Sequence, residues 1–192
     1  GNGGLIKLGV GTLTLAGNNT YTGPTIVQDG ALAVNGLLPG AAIVRSGAIL
    51  GGNGVVNGVV TVEAGGAIGA GTSIGTLTLN SSPVLNGTVV AEIDRNGGSP
   101  QADLITVSGY PIAYAGTLAV TNTGADLEVN DTFHLFNASG YSGSFTLLSL
   151  TPDQIVTWDT SNLAVNGTIR VSATSPAIPT TPRWSRRWST GS

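Results

Sequence analysis

A short phrase of alternating small and apolar residues recurs along this chain, and it limits the possible folds more than any other feature. Gly-Thr-Leu-Thr-Leu occurs at 11–15 and 75–79, and variants occur at 31–36, 116–120 and 162–167. This alternation is typical of half-buried β-strands, and glycine or Asn-Gly clusters separate the strands. Because the segments are short, similar and evenly spaced, they predict a solenoid whose units bury apolar faces against one another. A β-hairpin meander is the alternative.

Composition restricts the chemistry of the chain. Its 192 residues include 30 glycines and no cysteine. The absence of cysteine excludes disulfide frameworks, thiol nucleophiles and cysteine-ligated metal sites. Helical periodicity is nearly absent, which predicts an all-β fold. Asn-Gly occurs at seven positions, and this pair suits tight turns because both of its residues tolerate positive φ.

Charge is distributed unevenly. Residues 1–172 hold four basic and ten acidic residues, a formal charge of −6, and three arginines in the tail bring the chain to −3. The acidic body argues against nucleic acid as a partner. Apolar runs are too short for a transmembrane segment, and the first residues do not form a signal peptide. Because the chain contains no methionine, we expect a fragment, a processed product or an incompletely assigned sequence.

The sequence predicts three regions. Residues 1–173 are expected to form one solenoid, with regular repeats over 1–80 and wider coils with a less regular cap over 81–173. Residues 174–192 are predicted to be a proline-rich linker and a basic, aromatic tail. Aromatic residues gather between 110 and 158, where they are expected to fill the core of the last coils. Longer strands are predicted at 84–93, 104–108, 117–121, 132–137, 144–150, 155–158 and 168–173.

The C-terminal tail is the predicted contact site. Tryptophan and arginine are frequent anchors at protein interfaces and at anionic envelope surfaces. A disordered chain end is the alternative. The residues predicted to make an assembly or surface contact are Arg183, Trp184, Arg186, Arg187 and Trp188.

The first eighty residues resemble a known bacterial repeat. Residues 5–23 follow the phrase L-x-K-x-G-x-G-T-L-x-L-x-G-x-N-T-Y-x-G of the autotransporter-associated β-strand repeat, and the likeness continues to residue 80. Residues 103–109 and 116–118 resemble the final coils that follow such repeats. Residues 156–163 with 167–169 resemble the end of large bacterial surface proteins that carry this repeat. The resemblance implies a right-handed parallel β-helix that acts as an extracellular or cell-surface stalk or passenger in bacteria. It implies no catalytic residue.

Two functions are open at this stage. The first is a structural stalk or fibre subunit that self-associates as a homo-oligomer or filament, either end to end or through its tail, because the edges of terminal coils accept other strands. The second is a β-helix that binds or cleaves an envelope or extracellular polysaccharide. Its carboxylates would be Glu92, Asp94 and Asp103, and Tyr110 or Tyr114 would stack on sugar rings.

The remaining polar residues have simpler interpretations. His134 lies in an alternating strand between two apolar residues, so we expect it on an exposed face and not in a catalytic triad. Arg95 is expected to neutralise Glu92 and Asp94. The glycine-rich calcium-binding repeat is absent from the sequence, and no metal or cofactor is predicted. The chain is therefore predicted not to be an enzyme.

Overall fold

Parallel strands dominate the computed structural model, which describes residues 1–151 and 154–176. The chain winds in successive passes, called coils below, and each early coil after the first contributes one strand to each of three sheets. The sheets surround one apolar interior. This arrangement is a parallel β-helix and confirms the predicted fold class.

The sheets are named A, B and C in the order in which the chain enters them. Sheet A contains β1 (Leu5–Lys7), β3 (Thr25–Val27), β6 (Ala42–Val44), β9 (Val60–Val62) and β12 (Val84–Leu85). Sheet B contains β2 (Thr12–Leu15), β4 (Gly30–Val34), β7 (Ala48–Gly51), β10 (Ala67–Gly69), β13 (Thr88–Asp94), β17 (Thr117–Asn122) and β21 (Thr146–Leu150), and β14 (Gln101–Ala102) pairs antiparallel with β13. Sheet C contains β5 (Leu37–Leu38), β8 (Val55–Val56), β11 (Thr76–Leu79), β15 (Leu104–Val107) and β19 (Phe136–Asn137).

The remaining elements lie towards the C-terminal end. The parallel pair consists of β16 (Ile112–Tyr114) and β20 (Tyr141–Gly143). An antiparallel sheet contains β18 (Thr132–His134), β23 (Thr168–Pro176) and β22 (Gln154–Asp159) in that order. One helix, α1 (Leu163–Asn166), and a 3₁₀ turn (Asn96–Gly98) complete the described part. Neither of these helical segments is long and apolar enough to cross a membrane.

The coils widen along the chain. Thr25 of β3 pairs with Ala42 of β6, so an early coil takes 17 residues. Thr117 of β17 pairs with Thr146 of β21, so a late coil takes 29 residues. The additional residues form longer loops between the strands, while the sheet B stack continues without interruption.

Equivalent positions of successive coils stack in the interior. One column of sheet B joins Leu32, Leu50, Ile68, Val89 and Leu118, each at most 1% exposed. Strand geometry directs alternate side chains inward, so the repeated apolar phrase becomes a continuous column. Each such side chain contributes about 1.5–3 kcal/mol on burial. The sequence repeat therefore stabilises contacts between coils more than contacts within one coil.

Glycine is required at one corner because neighbouring coils approach closely there. A Cβ atom on Gly36 would lie 2.2 Å from the carbonyl oxygen of Gly17, and one on Gly54 would lie 2.2 Å from that of Gly36. Among the Asn-Gly pairs of the described part, only Gly167 has a positive φ. The other pairs of the described part therefore do not use the positive φ that both residues tolerate. Close approach, and not a left-handed backbone, selects glycine at this corner.

Lys7 of the repeat phrase has a structural role. The residue is only 7% exposed, and its Nζ donates to the carbonyl oxygens of Leu8, Gly9 and Asp29. A buried ammonium group requires such acceptors because it has left water. Lys7 thereby ties the loop after β1 to the residue before β4.

A cap closes the C-terminal end of the interior. The N–H groups of Leu135 and Phe136 donate to the carbonyl oxygen of Gly167 at 3.0 and 3.2 Å. The hydroxyl of Tyr114 donates to the carbonyl oxygen of Leu163 at 2.9 Å. These bonds hold α1 and the start of β23 against the last strand of sheet C. The predicted less regular cap is therefore present.

Three element boundaries differ from those predicted. The strand predicted at 132–137 is divided into β18 and β19, because the chain passes from the antiparallel sheet to sheet C at Leu135. The strand predicted at 84–93 is divided into β12 and β13, because the chain turns from sheet A to sheet B at Asn86 and Gly87. The final strand continues to Pro176, three residues into the predicted linker, because Thr174 and Ser175 pair with β22. Proline is tolerated at the end of a strand, where no ladder N–H is needed.

Candidate functional site

The predicted tail contact lies beyond the part of the chain that the structure describes. Its residues Arg183, Trp184, Arg186, Arg187 and Trp188 all fall within 177–192. Within the described part, Glu92 and Asp103 line a groove on sheet B, and Tyr114 lies in an aromatic cluster at the C-terminal end. Asp94 and Tyr110 belong to neither place.

The groove lies on the outer face of sheet B and has a volume of about 200 Å³. Gly51 and Gly69, in the adjacent strands β7 and β10, form part of its lining, and Val90 of β13 stands beside them. The two glycines leave space where neighbouring strands carry side chains. Glu92 and Asp103 also line the groove, so the structure brings two of the three predicted carboxylates together.

Asp103 connects two coils. Its side chain is buried, with the residue 3% exposed, and its Oδ1 accepts the N–H of Gly75 at 2.9 Å while its Oδ2 accepts the N–H of Glu92 at 3.0 Å. Burial raises the pKa of the Asp103 carboxyl from 3.8 to about 6, although the two backbone N–H groups oppose this shift. Both oxygens are occupied by backbone donors, so the carboxylate has a structural role.

We expect the contribution of Asp103 to stability to decrease as pH rises through its folded-state pKa of about 6. The folded protein holds the proton more tightly than the unfolded chain, so the contribution is complete below about pH 4. It falls by up to about 3 kcal/mol by about pH 6. Urea unfolding of the wild type and Asp103→Asn across this range measures the effect. The wild type should lose stability relative to the variant only over this interval, and parallel pH profiles would contradict the prediction.

Glu92 and Asp94 lie on the same outward face of β13, as the alternation predicts. Asp94 accepts two hydrogen bonds from the turn that follows it. Arg95 instead binds Glu128 and Asp131, at 2.7 and 3.0 Å. The predicted neutralisation of Glu92 and Asp94 by Arg95 is wrong, because the loop before β18 supplies two other carboxylates to the guanidinium group.

The predicted sugar-stacking tyrosines are not part of the groove. Tyr114 is only 4% exposed and packs against Phe136 and Phe145, with ring centroids 5.1 and 4.8 Å apart. Burial also raises the pKa of the Tyr114 hydroxyl. A ligand platform at Tyr114 is therefore wrong, and the alternative prediction of core filling is confirmed there. Tyr110 is 48% exposed but lies outside the groove lining.

The remaining titratable groups do not assemble an acid–base pair at the groove. His134 is exposed in β18 between two buried residues, as predicted from the alternation. In residues 1–151 and 154–176, ion pairs do not involve Glu92, and groups of three possible metal ligands do not occur. The groove thus presents Glu92 as a hydrogen-bond acceptor beside an apolar floor.

A row of apolar side chains on the outside of sheet A was not predicted. It contains Ile26 and Ile43, which in the sequence resemble interior residues. Both lie in triplets whose residues are all apolar or small, Thr-Ile-Val and Ala-Ile-Val, so the sequence alone does not show which residue points outward. Since alternate residues of a strand face opposite sides, the middle residue of such a triplet must point outward when its neighbours are buried.

Comparison with known proteins identifies the repeat. Residues 5–34 match the family model described as the passenger-associated-transport-repeat. An extracellular serine protease of Serratia marcescens is 39% identical over 77 residues, which are 40% of this chain and 7% of that protein. The neisserial autotransporter lipoprotein NalP of Neisseria meningitidis serogroup B is 43% identical over 60 residues, which are 28% of this chain and 6% of that protein.

The chain spans less than a tenth of the length of these relatives. The matches fall on the repeat, and they confirm the resemblance and the bacterial extracellular or cell-surface location that it implied. Residues 5–34 thus match a passenger-associated-transport-repeat, and over its repeat region the chain is similar to extracellular and autotransporter proteins of bacteria.

Proposed function

We propose that this chain is a structural stalk segment of a secreted bacterial surface protein and that its copies self-associate. The observation that supports this most strongly is the uninterrupted stack of seven parallel strands in sheet B around a filled apolar interior. Seven strands at a spacing of ~4.8 Å give a rod about 30 Å long. Such a rod holds whatever it carries at a fixed distance from its attachment.

A structural role is also favoured over protease activity. The Serratia relative is named as a serine protease, but the matched stretch covers only 7% of it. The lone histidine of this chain lies exposed on a strand of the cap. A serine protease triad requires a histidine held between a serine and a carboxylate. In our proposal the repeat supports other parts of a protein and carries no reaction of its own.

The two ends of the rod differ in ways that affect self-association. Leu13 and Leu15 of the first coil are half-buried, whereas Leu32 and Val34 of the next coil are fully buried. In the part of the chain that the structure describes, β1 and β2 pair on one side only, with β3 and β4. The interior at the other end is covered by the cap. Because the cap covers this end, contacts along the sides of the rod are favoured there over end-to-end stacking.

Polysaccharide binding is a second candidate function. The supporting observation is the groove on sheet B, where Glu92 stands beside a floor that includes Gly51 and Gly69. Within the described ranges, ion pairs do not involve Glu92. Cleavage is less favoured than binding because glycoside hydrolysis uses two available carboxyl groups. Asp103, the other carboxylate of the groove, has both oxygens bound to backbone N–H groups.

A polysaccharide assay distinguishes these functions. We expect the wild type to release no new reducing ends from acidic or neutral polysaccharides and to behave like Glu92→Gln and Asp94→Asn. Release that disappears in either variant would overturn the structural proposal. Glycan binding that Glu92→Gln weakens, without any release, would favour the second candidate. Asp29→Asn, at an exposed acidic residue that does not line the groove, is the matched control.

A further inference from the structure

The outer face of sheet A carries a continuous row of apolar side chains along the axis of the rod. Strand register places Ile6 beside Ile26, Ile26 beside Ile43, Ile43 beside Thr61, and Thr61 beside Val84. These five residues are called the isoleucine row below. Ile6 is 59% exposed and Val84 is 43% exposed, and the three residues between them are half-buried.

The row does not belong to the interior of the β-helix. Val27, Val44 and Val62, which are the next residues in the same strands, point inward and are fully buried. Val59, just before β9, extends the apolar surface because it is 43% exposed. The row and Val59 together form an apolar surface that is contiguous along five strands.

The polar edge of the row carries one charge of each sign. Arg45 directly follows β6 and Glu63 directly follows β9, and the two form an exposed ion pair. Gln28 and Asn86 occupy the equivalent positions after β3 and β12. An apolar centre with a polar rim is typical of protein interfaces. Because the two neighbouring strands carry opposite charges, Arg45 and Glu63, this face is complementary to a second copy of itself in the antiparallel orientation.

We propose that two copies of this chain pack side by side through the isoleucine row. This inference rests on the self-association proposed above and assigns its surface. The two-fold axis runs parallel to the strands and passes between β6 and β9. Ile43 of each copy then faces Thr61 of the other, and Ile26 faces Val84.

The charges of Arg45 and Glu63 favour an axis between β6 and β9. With the axis between β6 and β9, Arg45 of each copy faces Glu63 of the other, which gives two ion pairs across the interface. An axis through β6 would instead place Arg45 against Arg45. Like charges in contact disfavour that alternative. The two copies consequently run antiparallel, with a closed isologous interface.

The size of the face predicts a weak dimer. Five strands at ~4.8 Å and three residues at ~3.3 Å per strand give a face of about 24 by 10 Å. This is smaller than a standard stable interface. We therefore expect a Kd weaker than about 1 µM in solution. Many copies held together at a cell surface would raise the effective concentration and strengthen the association.

Sedimentation equilibrium of the whole chain, at concentrations up to about 1 mM, tests the proposal. Ile43→Lys should raise the dimer Kd at least about tenfold, because two ammonium groups would be buried in the interface. The matched control is Ile49→Lys, which makes the same change in the same coil but on the outer face of sheet B, where Ile49 is 47% exposed. The control should leave the Kd unchanged within about twofold.

Charge exchange tests the register. Arg45→Glu and Glu63→Arg should each weaken the dimer, because each variant places like charges against each other twice. The double exchange should restore the wild-type Kd within about threefold. Circular dichroism of each variant confirms that the monomer is folded. Thr61→Lys replaces Ile43→Lys if the latter changes the spectrum.

The results separate this inference from the proposal on which it depends. A wild type that remains monomeric throughout the concentration range would overturn both self-association and the isoleucine row. A dimer that Ile43→Lys and Thr61→Lys leave intact would overturn the row alone. A dimer that Arg45→Glu strengthens would overturn the assigned axis.

Discussion

We expect Gly54→Ala to destabilise the β-helix by about 3 kcal/mol. The added Cβ would lie 2.2 Å from the carbonyl oxygen of Gly36 and 2.7 Å from that of Val34. Both atoms are backbone, so no side chain is able to rotate away. The N–H of Gly54 also donates to the carbonyl oxygen of Val34 at 2.7 Å, so moving the corner breaks a bond between coils. Urea unfolding followed by circular dichroism measures the loss.

Two other glycines provide the controls. Gly17 occupies the same corner in the first coil and has no atom within 4 Å of its virtual Cβ, so Gly17→Ala should be nearly neutral. Gly47 also has open space around it but has a φ of 82°, so Gly47→Ala should cost about 1 kcal/mol through backbone strain alone. If Gly47→Ala is more destabilising than Gly54→Ala, close approach of the coils is not the main reason for these glycines.

The fold was predictable because its main signal is local. Alternation within four or five residues and even spacing of the repeats follow directly from strand geometry and from stacking. The outward row on sheet A was not predictable in the same way. In Thr25–Val27 and Ala42–Val44 every residue is apolar or small, so composition does not reveal which side of the strand is buried.

The candidate site shows the same division between local and long-range information. The common face of Glu92 and Asp94 follows from their spacing of two. The role of Asp103 depends on the N–H of Gly75, 28 residues earlier, and such a contact is set by the lengths of the intervening loops. Arg95 likewise finds its partners in a loop more than 30 residues further along the chain. Local spacing therefore finds shared faces, whereas pairings between coils require the structure.

We expect Phe136→Ala to destabilise the protein by about 4 kcal/mol, because it removes a fully buried ring at the junction of the last coil and the cap. The ring packs against Tyr114 and Phe145, with centroids 5.1 and 5.7 Å apart. The Phe136 N–H also binds Gly167, so the surrounding backbone is held in place and a cavity would persist. Urea unfolding gives the total loss. Tyr110→Ala, at a 48% exposed position, should cost less than about 0.5 kcal/mol.

The distribution of this loss along the chain tests how the rod is stabilised. In a solenoid each coil contacts only its neighbours, so damage at the C-terminal end should reach the first coils weakly. In Phe136→Ala, the rate of amide hydrogen exchange should therefore rise more at Ile105 and Ile169, near the substitution, than at Leu32 and Leu50 of the early column. Equal acceleration at all four amides would show that the coils unfold as a single cooperative unit. The cap would then stabilise the whole rod, and the stacked apolar columns alone would not suffice.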